Sequence, residues 1–173
     1  MASEPAVAGG SPELSLVPAA QAGDRVAFGR LYVLYSKTVH AILLARVPAG
    51  VAEDLVQDVF VQAMKSIRSL RDPAAFPGWL ARIARNKAHD YFRRTPPVEE
   101  LPQQMAGGSQ PTLDATAALA AIRSLPEAYQ ETMLMRLVEG MSGPEIAART
   151  GMTHESVRVH LSRGMKMLRE RLS

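Results

Sequence analysis

Apolar residues recur at steps of three and four along most of the chain, which is the spacing of one helix face. Asp24 directly precedes the first such stripe and suits an N-cap. Residues 47–50, which include Pro and Gly, interrupt the pattern. Further stripes predict helices over about 52–67 and 78–94, with a loop at 69–77. The first stripe consists of Phe28, Leu31, Tyr32, Tyr35, Val39 and Ile42.

The helical pattern resumes near residue 113, with predicted helices over 113–125 and 126–139. Pro126 fits the first turn of the second of these helices, where a missing N–H costs nothing. Ser142 and Glu145 form the capping-box pattern that begins another helix. The residues of 126–139 predicted to point inward are Tyr129, Met133, Leu134 and Leu137. Because Val and Ile seldom alternate with polar residues, the sequence predicts an all-α protein.

Two segments without helical pattern divide the chain. Residues 1–23 are rich in Ala, Gly, Pro and Ser and read as a flexible N-terminal tail. Residues 95–113 contain four Pro and two Gly and read as a flexible linker. The predicted architecture is therefore two small helical domains, 24–94 and 114–173.

Composition excludes several classes of protein. The chain has no Cys, so disulfide scaffolds, thiol catalysis and Cys-based zinc sites are ruled out, and a cytoplasmic location is permitted. Its longest apolar run, Ala41 to Ala45, cannot span a bilayer, so no direct membrane insertion is expected. The four His are scattered, and no Gly-rich phosphate loop is present. We therefore predict no metal, no cofactor, no catalytic residue and no enzymatic activity.

Charge is unevenly distributed along the chain. Residues 1–23 and 95–113 each carry −2, whereas residues 24–94 carry +6 and residues 114–173 carry +1. Sixteen of the twenty basic residues are Arg, which binds phosphate and base edges in a bidentate way. This pattern favours a polyanionic partner held at two places. A composition bias with solvated helices would give the same charges, and charge alone does not separate the two.

A helix-turn-helix pattern is the sharpest local signal. Ala147, Gly151 and Val157 take the positions of the small crossing residue, the turn residue and the apolar residue of the second helix. Thr153 is a suitable N-cap for that helix. Its outward residues would be Thr153, His154, Glu155, Ser156, Arg158, Val159, Ser162 and Arg163. This face suits base reading in the major groove, and a plain helical hairpin is the alternative.

Two weaker patterns lie in the first domain. Residues 71–94 carry six basic and two acidic residues among Trp and other aromatics, which suits single-stranded nucleic acid. By spacing, the same aromatics also fit a core. Asp54, Gln57 and Asp58 form an acidic and polar patch in a basic domain. That patch is either a docking surface for a basic partner or a solvated helix face.

Several motifs in one order resemble the extracytoplasmic-function (ECF) sigma factors of bacteria. The run AEDLVQDVF at 52–60 is similar to the family's polymerase-binding helix, and GWLARIARN at 78–86 to its promoter-binding helix. LPEAY at 125–129 is similar to its second-domain signature, as are the segments EGMS and EIA at 139–142 and 145–147. The resemblance implies that 24–94 is sigma region 2 and 114–173 is sigma region 4.

The resemblance also implies a function and site residues. The chain would be a promoter-specificity subunit that binds core RNA polymerase and helps melt promoter DNA, for a stress- or signal-responsive regulon. Asp54, Gln57 and Asp58 would dock on the β′ clamp helices, and the β flap would be a further polymerase contact. Residues implied to bind the melted −10 element are Leu70, Arg71, Trp79, Arg82, Asn86 and Lys87. Residues implied to bind the duplex −35 element are Thr153, Glu155, Ser156, Arg158, Val159, Ser162 and Arg163.

The resemblance implies regulation and also shows departures. An anti-sigma factor would mask the protein, which would lie in the cytoplasm or be held by that partner at the inner membrane face. Leu70 stands where the family often has an aromatic that traps a flipped base. The pair Val159 and His160 stands where a Ser-Arg pair is common, and the pair Gly164 and Met165 stands where Ala-Arg is common. Both changes remove a cation, which predicts an unusual promoter preference.

Two other functions remain open at this point. A dimeric helix-turn-helix regulator would act on duplex DNA without polymerase, and it would need paired half-sites. A helical interaction protein, such as a polymerase-sequestering inhibitor, would use the acidic patch without a reading helix.

Overall fold

A computed structural model describes residues 10–94 and 113–173 of the chain. Two short 3₁₀ turns, Ile67–Ser69 and Pro73–Ala75, join the third and fourth helices. The α-helices of these residues are α1 (Glu13–Gln21), α2 (Arg25–Leu44), α3 (Ala49–Ser66), α4 (Phe76–Arg94), α5 (Leu113–Arg123), α6 (Glu127–Leu137), α7 (Gly143–Thr150) and α8 (His154–Leu172). Because the described part of the chain contains no strand, the all-α prediction is confirmed.

Local capping chemistry sets most helix ends where the sequence predicts them. The carboxylate of Asp24 accepts hydrogen bonds from the backbone N–H of Val26 and Ala27 at the start of α2. The capping box of Ser142 and Glu145 begins α7. Gly151 ends that helix with a φ of 74°, a left-handed conformation that glycine adopts without strain. Thr153 then caps α8 through the N–H of Ser156.

Other helix boundaries differ from the sequence prediction. Helix α4 already begins at Phe76, two residues earlier than expected. Pro126 is the N-cap of α6 and lies outside its first turn. Helix α6 ends at Leu137, whose side chain is 45% exposed. The predicted inward position of Leu137 is therefore wrong, because residues 136–138 at the end of α6 are all exposed.

The N-terminal segment departs most from expectation. Residues 13–21 form α1, so the prediction of a flexible tail over 1–23 does not hold there, and residues 1–9 lie outside the described residues. A nine-residue helix that contains Pro18 is marginal by itself, and tertiary packing supplies its stability. Val17 is fully buried, and α1 packs against α2 and both 3₁₀ turns. The predicted linker at 95–113 lies outside the described residues except for Leu113, which begins α5.

The two halves of the chain share one contiguous apolar core. The largest buried side chains of the first half are Tyr35 and Phe76, whose rings meet edge to face. In the second half α6 packs closely on α8, where a Cβ on Gly164 would stand 2.7 Å from the side chain of Met133. Helix α2 also contacts α6 and α7 across the two halves. The regions that the sequence separates thus lie against each other.

Candidate functional site

The exposed face of α3 combines acidic, polar and apolar side chains. Asp54, Gln57 and Asp58 are all exposed, and at helical spacing they continue into Val61 and Met64. The side chains of Val61 and Met64 are about half exposed. Gln57, Val61 and Met64 border an open, shallow groove against α2, whose floor includes the Phe60 ring. The arrangement is an amphipathic surface that suits a protein partner with cationic and apolar groups.

The exposed face of α4 brings the predicted nucleic-acid residues together. Trp79, Arg82 and Asn86 recur at three and four residues, and Arg82 and Asn86 are exposed. Trp79 is half-buried, with its ring 5.8 Å from that of Phe76. Lys87 is partly buried beside this face. A supported aromatic among cations and an amide can stack a base and contact phosphates.

The loop before α4 places its predicted residues differently. Arg71 is exposed, but the side chain of Leu70 is only 8% exposed and belongs to the apolar core. In this conformation Leu70 cannot offer its side chain to a flipped base. Its contribution to the loop is its backbone, whose carbonyl accepts a hydrogen bond from Gln21.

The outer face of α8 presents the residues predicted for duplex DNA. Glu155, Arg158 and Ser162 lie at helical spacing and are exposed, as is Arg163, while Val159 is partly exposed beside them. Thr153 and Ser156 are linked hydroxyl to hydroxyl at 2.9 Å within the N-cap. These two hydroxyls thus hold the start of the helix, and the charged groups farther along face solvent.

Two of the family departures on α8, His160 and Gly164, lie against α6. The ring of His160 packs edge to face on Tyr129 at 5.3 Å, and its Nδ1 lies 3.3 Å from the hydroxyl of Thr132. Gly164 is buried where α8 crosses Met133. His160 and Gly164 therefore do not belong to the outward face of α8, whereas Met165, at the position of the second lost cation, is partly exposed. The unusual promoter preference stays a prediction.

Glu131 on α6 is the centre of the polar contacts between the two halves. Its carboxylate accepts hydrogen bonds from Arg85 of α4 at 3.0 and 2.9 Å, and it pairs with Arg46 at 2.6 Å. Burial works to raise the pKa of Glu131, but the hydrogen bonds and charges of Arg85 and Arg46 outweigh it and lower the pKa. The same hydrogen bond raises the pKa of Arg85.

Further polar contacts cross the same boundary. Arg123 of α5 donates to the carbonyls of Leu44 and Val47 at 3.0 and 2.6 Å, where burial lowers its pKa. His40 of α2 is hydrogen-bonded to Glu139, and this bond raises the pKa of the imidazole.

Another polar contact joins α1 to α7. Glu13 is 3% exposed and accepts a hydrogen bond from the Tyr35 hydroxyl. Arg149 of α7 lies 3.9 Å from that carboxylate, and its guanidinium stands over the Tyr35 ring, 5.5 Å from the centroid. The buried carboxylate is thereby paired, which satisfies the main requirement for burying a charge.

Sequence reasoning missed these interdomain residues, although signals for them exist. Glu127 and Glu131 stand four residues apart on α6, next to a first half that carries excess positive charge. The expectations for those cations were a polyanionic partner or solvent, with no internal partner among them. Acidic residues on one face of a neighbouring helix point to a competing internal partner.

The described residues contain neither a group of metal-binding side chains nor a membrane-spanning helix. Among residues 10–94 and 113–173, no three His, Asp or Glu side chains are grouped so that they could bind a metal ion. Within those same ranges, no helix is both long and apolar enough to cross a membrane.

The fold and these surfaces define a two-part helical protein with a helix-turn-helix. Residues 31–96 match the family Sigma-70 region 2, and residues 115–168 match Sigma-70, region 4. The chain belongs to the sigma-70 family of sigma factors, in its ECF branch.

The chain is similar to individual sigma factors and to a solved structure. It is 32% identical over 171 residues to the "Probable RNA polymerase sigma factor RfaY" of Xanthomonas campestris, with 90% of the chain covered. It is 33% identical over 152 residues to the ECF RNA polymerase sigma-E factor of Escherichia coli, with 77% of this chain and 80% of the relative covered. The structure of CnrH in complex with the cytosolic domain of CnrY matches with a TM-score of 0.61 and 26% identity, over 93% of this chain and 97% of CnrH. The chain spans 43% of the length of the Xanthomonas relative.

Proposed function

We propose that this protein is a promoter-specificity subunit that directs core RNA polymerase to a specific set of promoters. The observation that carries the proposal is the presence of three distinct exposed faces, on α3, α4 and α8, within one sigma-70 fold. A duplex-binding dimeric regulator would use α8 alone and leave the α3 and α4 faces without a role. The sigma-factor function uses all three.

Core polymerase binds at the α3 face in this proposal. Asp54, Gln57 and Asp58 supply carboxylates and an amide to the β′ clamp helices, and Val61 and Met64 supply apolar contact. The proposal is supported by the exposure of all five side chains on one helix face. The region 4 domain makes the second polymerase contact, at the β flap.

Promoter opening takes place at the α4 face and its preceding loop. Trp79 stacks against an unpaired base, Asn86 reads or positions a base, and Arg71, Arg82 and Lys87 hold the backbone. No catalytic group is required. A site that binds the unstacked base in preference to the paired one offsets the few kcal/mol of unstacking. Leu70 supports the loop from the core.

The −35 element binds at the outer face of α8. Arg158 and Arg163 contact base edges or phosphates in the major groove, with Glu155, Val159 and Ser162 beside them, while Thr153 and Ser156 hold the helix start. Because duplex binds at α8 and a melted strand binds at α4, the promoter must contain two unlike DNA elements. Each element is bound by one of the two domains.

We further propose that an anti-sigma factor regulates the protein in the cytoplasm, or at the inner membrane face if that partner is anchored there. The solved complex of CnrH with the cytosolic domain of CnrY supports a protein partner of this kind. Such a partner would hold the protein in the form in which its two halves lie against each other.

Run-off transcription tests the function directly. Core polymerase is assayed with and without this protein on pooled fragments of the source genome. Discrete transcripts that require the protein are expected, each with two upstream elements. If no transcripts form and the protein retains duplex fragments without polymerase, it is the dimeric regulator instead.

A further inference from the structure

The side-chain amide of Gln21, at the end of α1, binds the loop between α3 and α4. Its Nε2 donates hydrogen bonds to the carbonyls of Ile67 at 2.8 Å and Leu70 at 2.7 Å. In return, Nε of Arg68 donates to the main-chain carbonyl of Gln21 at 3.2 Å. The bonded residues lie 46 to 49 positions away from Gln21 in sequence, so the contact is purely tertiary.

The loop is also held at its other end. Asp72 accepts a hydrogen bond from the N–H of Ala74 at its carboxylate and one from Ala75 at its carbonyl, both at 3.0 Å. The exposed Arg71 therefore lies between two held points, Leu70 and Asp72. The Leu70 carbonyl and the Arg71 N–H share one rigid peptide plane, so a fixed carbonyl direction also sets where the Arg71 backbone begins.

We propose that Gln21 is a positioning residue for the loop that meets the melted −10 strand. By fixing the Leu70–Arg71 peptide, its side chain sets the course of the loop backbone from which the exposed Arg71 meets that strand. The inference rests on the proposed function of the loop. Gln21 itself does not touch DNA in this proposal and acts through Arg71.

Anchoring α1 does not by itself call for an amide at this position. Val17 is completely buried, and Glu13 is buried and paired, so α1 is already attached to the rest of the protein. A hydrocarbon side chain would fill the same volume without the desolvation of an amide. The distinct contribution of Gln21 is that its amide fixes the direction in which the carbonyls of Ile67 and Leu70 point.

The test compares wild type with Gln21→Met, which keeps the side-chain length and removes both donors. Gln130 offers a matched control, because its Nε2 donates to the carbonyls of Arg123 and Leu125 at 2.9 and 2.7 Å in the other domain. Gln130→Met therefore loses the same chemistry away from the loop. Each variant is assembled with core polymerase on a promoter recovered by run-off transcription. Initial promoter binding is measured separately from opening, which is followed by permanganate reactivity of unpaired thymines.

For Gln21→Met we expect opening to slow about tenfold, since two hydrogen bonds are lost and each stabilises modestly. A selection from randomised −10 sequences should return a relaxed preference. Core association and initial promoter binding should match those of Gln130→Met, whose opening rate should stay near wild type. A purely structural role would instead lower the melting temperature and every binding step together.

Four outcomes would overturn the inference. Opening by Gln21→Met within about twofold of wild type removes the positioning role alone. Equal opening losses in Gln21→Met and Gln130→Met would assign the effect to general stability. Failure of wild-type holoenzyme to open any promoter removes the proposed function, and the positioning role with it. Should Gln21→Met not fold, Gln21→Glu keeps the shape and lacks both donors when ionised, and normal opening by that variant overturns the inference equally.

Discussion

Glu131→Gln is predicted to loosen the contact between the two halves of the molecule. The substitution keeps the size of the side chain and removes the charge that binds Arg85 and Arg46. Both cations are then left beside a neutral amide that has only one acceptor oxygen. Because Arg85 belongs to α4, loss of the pair also frees a cation next to the proposed −10 surface.

The size of the effect follows from exposure. Glu131 is 18% exposed and Arg46 is 23% exposed, so their bond at 2.6 Å has much of the strength of a buried charged hydrogen bond. Such bonds contribute about 1.5–3 kcal/mol. Arg85 is 45% exposed, and solvent reduces its part to that of a surface pair, about 0.5 kcal/mol. A total of about 2 kcal/mol corresponds to about a thirtyfold change in the opening equilibrium.

Energy transfer between two dyes measures this opening. The chain has no Cys, so Lys65→Cys on α3 and Glu170→Cys on α8 provide two unique labelling positions on exposed residues. Glu127→Gln is the control, because Glu127 is 84% exposed and its contact with Arg46 is long, at 3.5 Å, so it contributes little. We expect a larger open fraction for Glu131→Gln than for wild type or the control, and a smaller difference at high salt. Identical distance distributions for Glu131→Gln and wild type would refute the reasoning.

Three further predictions concern single surfaces. Reversing the charge of Asp54 and Asp58 should weaken holoenzyme formation while the thermal unfolding midpoint stays unchanged, because both carboxylates are exposed; an unaltered holoenzyme yield in native gels contradicts the docking role. Arg158→Ala should weaken promoter binding by about 1–3 kcal/mol if it reads a base, and a gel shift of holoenzyme with no loss argues against that contact. Because the interface raises the pKa of His40 above 6.5, its contribution is complete below that pH and is lost as pH rises through the raised value. The labelled protein should therefore open further as pH rises through that raised pKa, and His40→Ala should abolish the dependence. Lys37, Glu53 and Glu139 are the charged groups that line the same groove as His40.

Helix ends were predictable because their chemistry is local. Asp24, Ser142 and Thr153 each bond to an N–H two or three residues ahead, so a short stretch of sequence contains both partners. The end of α7 was predictable for the same reason. Gly151 adopts a positive φ there, and glycine can do so because it has no Cβ, which is a property of that one residue. The three exposed faces were also predictable, since helical spacing alone places Asp54 near Asp58.

Helix α1 was missed because its stabilising partners are remote. The Ala, Gly, Pro and Ser content of residues 1–23 is typical of a tail, and the helix forms because tertiary contacts, the buried Val17 among them, stabilise it. The hydrogen bonds of Gln21 to Ile67 and Leu70 have no signature in the sequence around residue 21. The same applies to Leu70, whose burial depends on helices that reach it from elsewhere in the chain.

The sequence by itself determined an all-α chain of the sigma-70 family, its helix caps, and the residues that share each outer face. These properties depend on spacing within one helix, where neighbours in sequence are neighbours in space. Only the tertiary structure decided that α1 supports the loop before α4, that His160 and Gly164 face inward, and that Glu131 joins Arg46 to Arg85. Those contacts connect residues dozens of positions apart, and they form only when the packed helices bring their side chains within bonding distance.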